Sequence, residues 1–202
     1  GNENGGSKLY LIQLLDNFKS CAEFILPART ITYSYYSSSS KVDKLSIPSM
    51  ANYCASTFSG SGSPAAYAET LYTMDPSTGE YVQVTGFNPS DWGVSSIPAY
   101  AFWGCKAITS YDGTSVKDHN AYSFYNSGIK TLKIDSFAGG GTIASYAFAS
   151  CASLETITDT STQPWATLGN LAFRDVNADV TISSQVFGLY KQSTGFALSP
   201  MD

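Results

Sequence analysis

Charge is what this 202-residue sequence most lacks: 13% of its residues are Asp, Glu, Lys or Arg, about half the usual share of a folded protein. Lys and Arg number 11 against 16 Asp and Glu, and no basic run occurs anywhere. The chain therefore has no basic run to neutralise a phosphate backbone, so nucleic acid is not expected as a partner, and anionic membrane surfaces are disfavoured. Long apolar runs are missing too. The most apolar stretch, Leu9 to Leu15, is followed by Asp16, Lys19 and Glu23, so nothing here is fit to span a bilayer. The same stretch lacks the charged n-region and small-residue cleavage site of a signal peptide. Residues 1–7 (GNENGGS) read as a flexible tether, in keeping with a processed exported protein.

Histidine occurs once, at His119 in the polar run Lys117-Asp118-His119-Asn120. A catalytic base needs an orienting partner and a nucleophile within reach. Asp118 is adjacent in sequence and so faces elsewhere, and His119 is expected to be an exposed loop residue. One histidine and scattered thiols cannot make a usual metal ligand set. The cysteines, Cys21, Cys54, Cys105 and Cys151, are separated by 33, 51 and 46 residues, which fits neither zinc spacing nor a disulfide-dense scaffold. They read as free, largely buried thiols, with a Cys21–Cys54 bridge left open. Most acidic residues sit beside Gly, Ser or Thr, where turn formation explains them. The triplet Gly139-Gly140-Gly141 lacks the lysine and following helix of a phosphate loop, and reads as a flexible linker. No cofactor, metal or catalytic site is expected.

What fills the gap is Ser, Thr, Gly and aromatics, including 14 tyrosines. Ser7 can cap a helix over 8–25, because Leu11, Leu14, Leu15, Phe18, Cys21, Ala22 and Ile25 fall at helical spacing. Pro27 ends it. Thr30 to Tyr36 alternates as a strand, Ser37 to Ser40 is a loop, and Leu45-Ser46-Ile47-Pro48 is a short strand with a compact turn after it. Residues 60–64 (GSGSP) form the clearest break. Beyond it, Asp75-Pro76-Ser77-Thr78-Gly79 is a turn, since proline presets its first corner and glycine supplies a positive φ. An inserted hairpin over 70–85 follows.

Internal periodicity decides the architecture. Tyr100-Ala101-Phe102 with Cys105 and Ile108 has the pattern of Tyr122-Ser123-Phe124 with Ser127 and Ile129. The pattern returns in Tyr146-Ala147-Phe148 with Cys151 and Leu154, and in Leu171-Ala172-Phe173 with Val176 and Val180. The phenylalanines lie 22, 24 and 25 residues apart. Each copy supplies a short strand, a tight turn and one apolar knob that it cannot bury alone. Stacked at about 4.8 Å per coil, Phe102, Phe124, Phe148 and Phe173 form one column, with Cys105 and Cys151 in the next interior layer. Those two thiols occupy one position two coils apart, on the order of 10 Å, beyond the roughly 7 Å a disulfide tolerates.

The stretches Ile97-Pro-Ala-Tyr-Ala-Phe-Trp-Gly-Cys105 and Ile143-Ala-Ser-Tyr-Ala-Phe-Ala-Ser-Cys151 resemble the BspA-like branch of the leucine-rich repeats. The resemblance covers about half the chain. It implies a right-handed solenoid with strands on one face, and the context of secreted or surface-attached bacterial proteins engaged in adhesion.

The expectation is a mainly β protein with short helical turns: a leucine-rich-repeat solenoid of about four coils over 94–202. Residues 1–93 would form an N-terminal helix-plus-strand cap containing a candidate degenerate repeat at 43–60. The expected function is non-enzymatic adhesion or recognition, extracellular or at the cell surface of a bacterium, with lipid anchoring upstream as one mode of attachment. The ligand would be a protein or host extracellular-matrix component, or alternatively a glycan. A filament-associated structural subunit and a carbohydrate-binding module are the competing readings. The candidate ligand-binding residues are Trp92, Trp103, Tyr125 and Trp165, because exposed aromatics suit protein and glycan contact.

Overall fold

The computed structural model describes residues 20–33, 41–60, 63–177 and 179–184. Two parallel ladders run the length of the repeats. One joins β7 (Gly86–Phe87), β9 (Ser110–Gly113), β11 (Thr131–Ile134), β13 (Thr156–Asp159) and β15 (Thr181–Ser183). The other joins β8 (Ser96–Ile97), β10 (Asp118–His119), β12 (Thr142–Ile143) and β14 (Thr167–Leu168). Each coil therefore passes through a longer strand, a shorter strand and a tight turn.

Period-two alternation explains which side chains face inward. In β11, Thr131 and Lys133 point out while Leu132 and Ile134 are buried. Register then aligns Tyr111, Leu132, Ile157 and Ile182 in one inward rank. Ile97, His119, Ile143 and Leu168 align in the facing rank. Between them stand the phenylalanines. Phe102 and Phe124 stack at 5.1 Å and 12°, Phe124 and Phe148 at 5.4 Å and 5°, and Phe148 and Phe173 at 5.4 Å and 11°. All four are at most 2% exposed, and burying each contributes about 1.5–3 kcal/mol.

The N-terminal half follows the same plan. β1 (Ser20–Ile25), β3 (Lys41–Ile47) and β5 (Ala68–Met74) are parallel neighbours, as are β2 (Thr32–Tyr33) and β4 (Thr57–Phe58). A five-residue helix, α1 (Met50–Cys54), takes the corner, with Ser49 capping it through the Asn52 amide. One buried apolar cluster runs from Leu26 to Phe173. The stack thus has more coils than the four expected, because degenerate copies carry Tyr33, Tyr53 and Phe58 where later ones carry the Tyr-Ala-Phe signature.

Of the helix expected over 8–25, residues 8–19 lie outside the described residues, and 20–25 form strand β1. Its backbone is paired in parallel register with β3, and the pairing seats it on the stack. The hairpin over 70–85 is only half an insertion. β5 is itself a rung, and just the turn and β6 (Tyr81–Gln83), antiparallel to β5, are additional. The Thr30–Tyr36 strand is seen at 32–33; its remainder and the loop at 37–40 lie outside the described residues.

Candidate recognition surface

The turn after each short strand makes the surface that carries the exposed aromatics. Two of its residues adopt left-handed backbone. Tyr100, Tyr122, Tyr146 and Leu171 have φ of 63°, 58°, 61° and 60°, and four residues on Gly104, Asn126, Ser150 and Asp175 have 68°, 54°, 58° and 56°. Such a conformation costs a non-glycine residue roughly 1–2 kcal/mol. Inter-coil hydrogen bonds fix it: the amide of Phe102 donates to Ser123 O at 2.8 Å, Phe124 to Ala147 O at 2.8 Å, and Phe148 to Ala172 O at 2.9 Å. The small residue before each Phe is confined against the next coil.

With Phe turned inward, the residue two before it stands at the rim. Tyr100 and Tyr122 stack at 5.0 Å and 3°, and Tyr122 and Tyr146 at 4.9 Å and 6°. All three are partly exposed. Trp103 lies parallel to Tyr125, centroids 6.4 Å apart, and Tyr125 leans on Tyr122 at 5.5 Å. The result is a ridge of five stacked, partly exposed aromatic side chains. Partial burial, reinforced by the neighbouring phenols, holds the Tyr122 hydroxyl above its ordinary pKa.

Of the four aromatics chosen from sequence, Trp103 and Tyr125 meet here, and the other two do not. Trp165 is a correction: it is 4% exposed and packs edge-on to His119 at 6.2 Å, because the coil turns it into the core just before β14. Trp92 is half-buried against Phe87 at 5.8 Å, with its indole nitrogen enclosed and no hydrogen-bond partner. Tyr100, Tyr122 and Tyr146 were visible as a repeat signature yet not as surface residues. The signal available was their recurrence two positions before a buried Phe.

His119 is also corrected. It is fully buried, in register with Ile97 and Ile143, and hydrogen-bonded to Tyr111 Oη at 3.0 Å. Burial pulls its pKa down to about 3, with the backbone of Thr142 acting the other way. The glycine triplet is a packed corner and no free linker: a Cβ on Gly141 would lie 3.0 Å from Ser136 O and 3.1 Å from Lys117 O. All four cysteines are free, and burial pushes the Cys54, Cys105 and Cys151 thiols up. Among the described residues, no cluster of three His, Cys, Asp or Glu could hold a metal, and no helix is long and apolar enough to cross a membrane.

A second surface is the outer face of the longer ladder. There a groove of about 420 Å³ has Asn88 and Asp91 at one wall and outward residues of β9, β11 and β13 as its floor.

The family model for the BspA type leucine-rich repeat region matches residues 82–193 in six copies. No curated protein and no solved structure matches the chain.

Proposed function

Because the chain belongs to the BspA-type leucine-rich repeat family, we propose that it is a non-enzymatic recognition protein, secreted or displayed on a bacterial surface. Its ligand is a protein of the host or of the extracellular matrix, held by surface complementarity with no bond chemistry. The observation that carries this reading is the stacked ridge of Tyr100, Tyr122, Tyr146, Trp103 and Tyr125. Tyrosine and tryptophan dominate protein-binding hot spots because they offer large area, a polar tip and little rotamer entropy. Here that entropy is already lost in the stack, which favours affinity.

The stacked arrangement favours protein over sugar at this site. Both faces of the Tyr122 ring are covered, by Tyr100 and Tyr146, so the central ring offers no open face to a pyranose. A filament-associated role drew on a helix over 8–25, of which the described part is strand.

The test is solid-phase binding to a panel of immobilised extracellular-matrix glycoproteins, each before and after enzymatic deglycosylation. Saturable binding that survives deglycosylation and is lost in Trp103→Ala/Tyr125→Ala supports the reading. Binding that disappears with the glycans, or that the double variant leaves intact, contradicts it.

A further inference from the structure

Register builds two outward ranks on the longer ladder. Ser110, Thr131 and Thr156 form one, and Asp112, Lys133 and Thr158 the other. Both run across the strands at about 4.8 Å per rung and line the 420 Å³ groove, within the span of small-ligand sites, about 300–1,000 Å³.

Several hydroxyls elsewhere on the coils are used by the fold. Thr109 Oγ1 donates to Thr85 O, Thr114 Oγ1 to Asp112, Thr160 Oγ1 to Asp135 Oδ2, and Ser184 Oγ to Asp159. Among the described residues, the hydroxyls of Ser110, Thr131, Thr156 and Thr158 have no such partner within the protein. Gly86, in register with Ser110, helps keep that floor open, since a Cβ there would sit 2.8 Å from Ser110 Oγ.

The groove also selects by what it omits. Phe87, Tyr111 and Leu132 lie beneath the floor at 1–2% exposure, so it offers no apolar anchor of the kind a protein hot spot needs. Its central charges are already paired, Lys133 Nζ lying 3.4 Å from Asp112 Oδ2. A polyanion would meet Asp91 and Asp112, and a polycation would have to displace Lys133. The remaining chemistry is a row of donor-acceptor hydroxyls with a repeat of one strand spacing, close to the advance per sugar of an extended glycan.

We propose that this groove binds a neutral linear polysaccharide laid along the stack axis, its hydroxyls exchanging hydrogen bonds with Ser110, Thr131, Thr156 and Thr158. The site is separate from the aromatic ridge, so it stands or falls independently of protein recognition there.

Calorimetric titration of the full chain with cellohexaose, laminarihexaose, maltohexaose and xylohexaose tests it, with oligogalacturonate as the anionic comparison. Saturable binding of at least one neutral hexaose at millimolar concentration is expected. Thr131→Val/Thr156→Val keeps the β-branched shape and should weaken binding by about tenfold or more, the loss of one to two hydrogen bonds. Thr142→Val/Thr167→Val, on the other ladder, should leave it unchanged. Matching melting temperatures show that both variants fold. Failure of all four neutral hexaoses to bind overturns the proposal, as does affinity that the floor variant leaves intact or that Tyr122→Asn abolishes. Tighter binding of oligogalacturonate, or loss of protein binding in the floor variant without any effect on sugar, overturns it as well.

Discussion

The hydroxyl of Tyr53 donates to the carbonyl of Ala101 at 2.6 Å. In the coils that follow, the corresponding carbonyls of Ser123, Ala147 and Ala172 receive a backbone amide from the Phe of the preceding coil. The coil before Ala101 has no Phe in that place, and Ser63 Oγ joins Tyr53 at the same oxygen, also at 2.6 Å. Two side chains thus do what the repeat's backbone does elsewhere, while the Tyr53 ring leans on Phe102 at 5.5 Å and continues the aromatic column.

Removing these donors should therefore be cooperative. Tyr53→Phe alone leaves Ser63 in place and should cost about 1 kcal/mol. With Ser63→Ala added, a buried carbonyl loses both partners, and a further loss of about 1–3 kcal/mol is expected. Urea denaturation of the two single variants and the double variant measures the coupling; strict additivity would show that the cap is incidental.

Ser123 occupies the slot taken by Ala101, Ala147 and Ala172, and its hydroxyl is buried without a partner. Ser123→Ala should stabilise the protein by about 1 kcal/mol, and Ala147→Ser should destabilise it by a similar amount. A destabilised Ser123→Ala would mean that the hydroxyl has a role the packing does not show.

Buried neutral His119 makes stability depend on pH. Its pKa is depressed in the folded protein, from 6.5 to about 3, so below 6.5 the unfolded chain binds the proton first. The stabilising contribution is complete above pH 6.5 and is lost as pH falls toward 3, by up to about 1.4 kcal/mol per unit. Comparing wild type with His119→Gln by urea denaturation at several pH values isolates it. The stability difference between the two should close as pH falls, and a constant difference would place His119 outside the core.

The column Cys105–Ser127–Cys151 tests the register of the coils. Ser127 Oγ is 3.2 Å from Cys151 Sγ, and adjacent coils lie within disulfide range while alternate ones do not. Ser127→Cys should form one intramolecular disulfide on mild oxidation, read as the loss of two thiols by mass spectrometry after alkylation. The parent protein should keep Cys105 and Cys151 reduced; a Cys105–Cys151 bridge in it would break the proposed stacking.

The Phe column was legible because one aromatic in a fixed local frame recurred at near-constant spacing. What escaped was set by context that a single coil does not contain. His119 lies between Asp118 and Asn120, and only its two-residue strand, paired on both sides, turns it inward. Trp165 follows Gln163 and Pro164 and reads as an exposed aromatic, yet it closes the core beside His119. The first coils use Tyr33, Tyr53 and Phe58 with a helix at one corner, so they lack the local frame that betrays the later ones. Strand β1 shares its apolar spacing with a helix, and pairing across 20 residues of sequence, Cys21 with Val42 for example, is invisible to a local window. The tyrosine ridge was in plain view as a motif, but its exposure depended on the Phe two positions later being buried.

Recognition through that ridge needs a preformed aromatic surface on an intact stack, and Tyr122→Asn separates the two properties. Asparagine accepts the left-handed backbone at this position, φ 58° in the parent protein, more readily than tyrosine does, so folding is retained while the central ring is removed. Measured together by thermal melting and by binding to the matrix protein that the wild type recognises, the variant should keep its melting temperature within a few degrees and lose about tenfold or more in affinity. Unchanged affinity in a folded Tyr122→Asn variant would contradict the account.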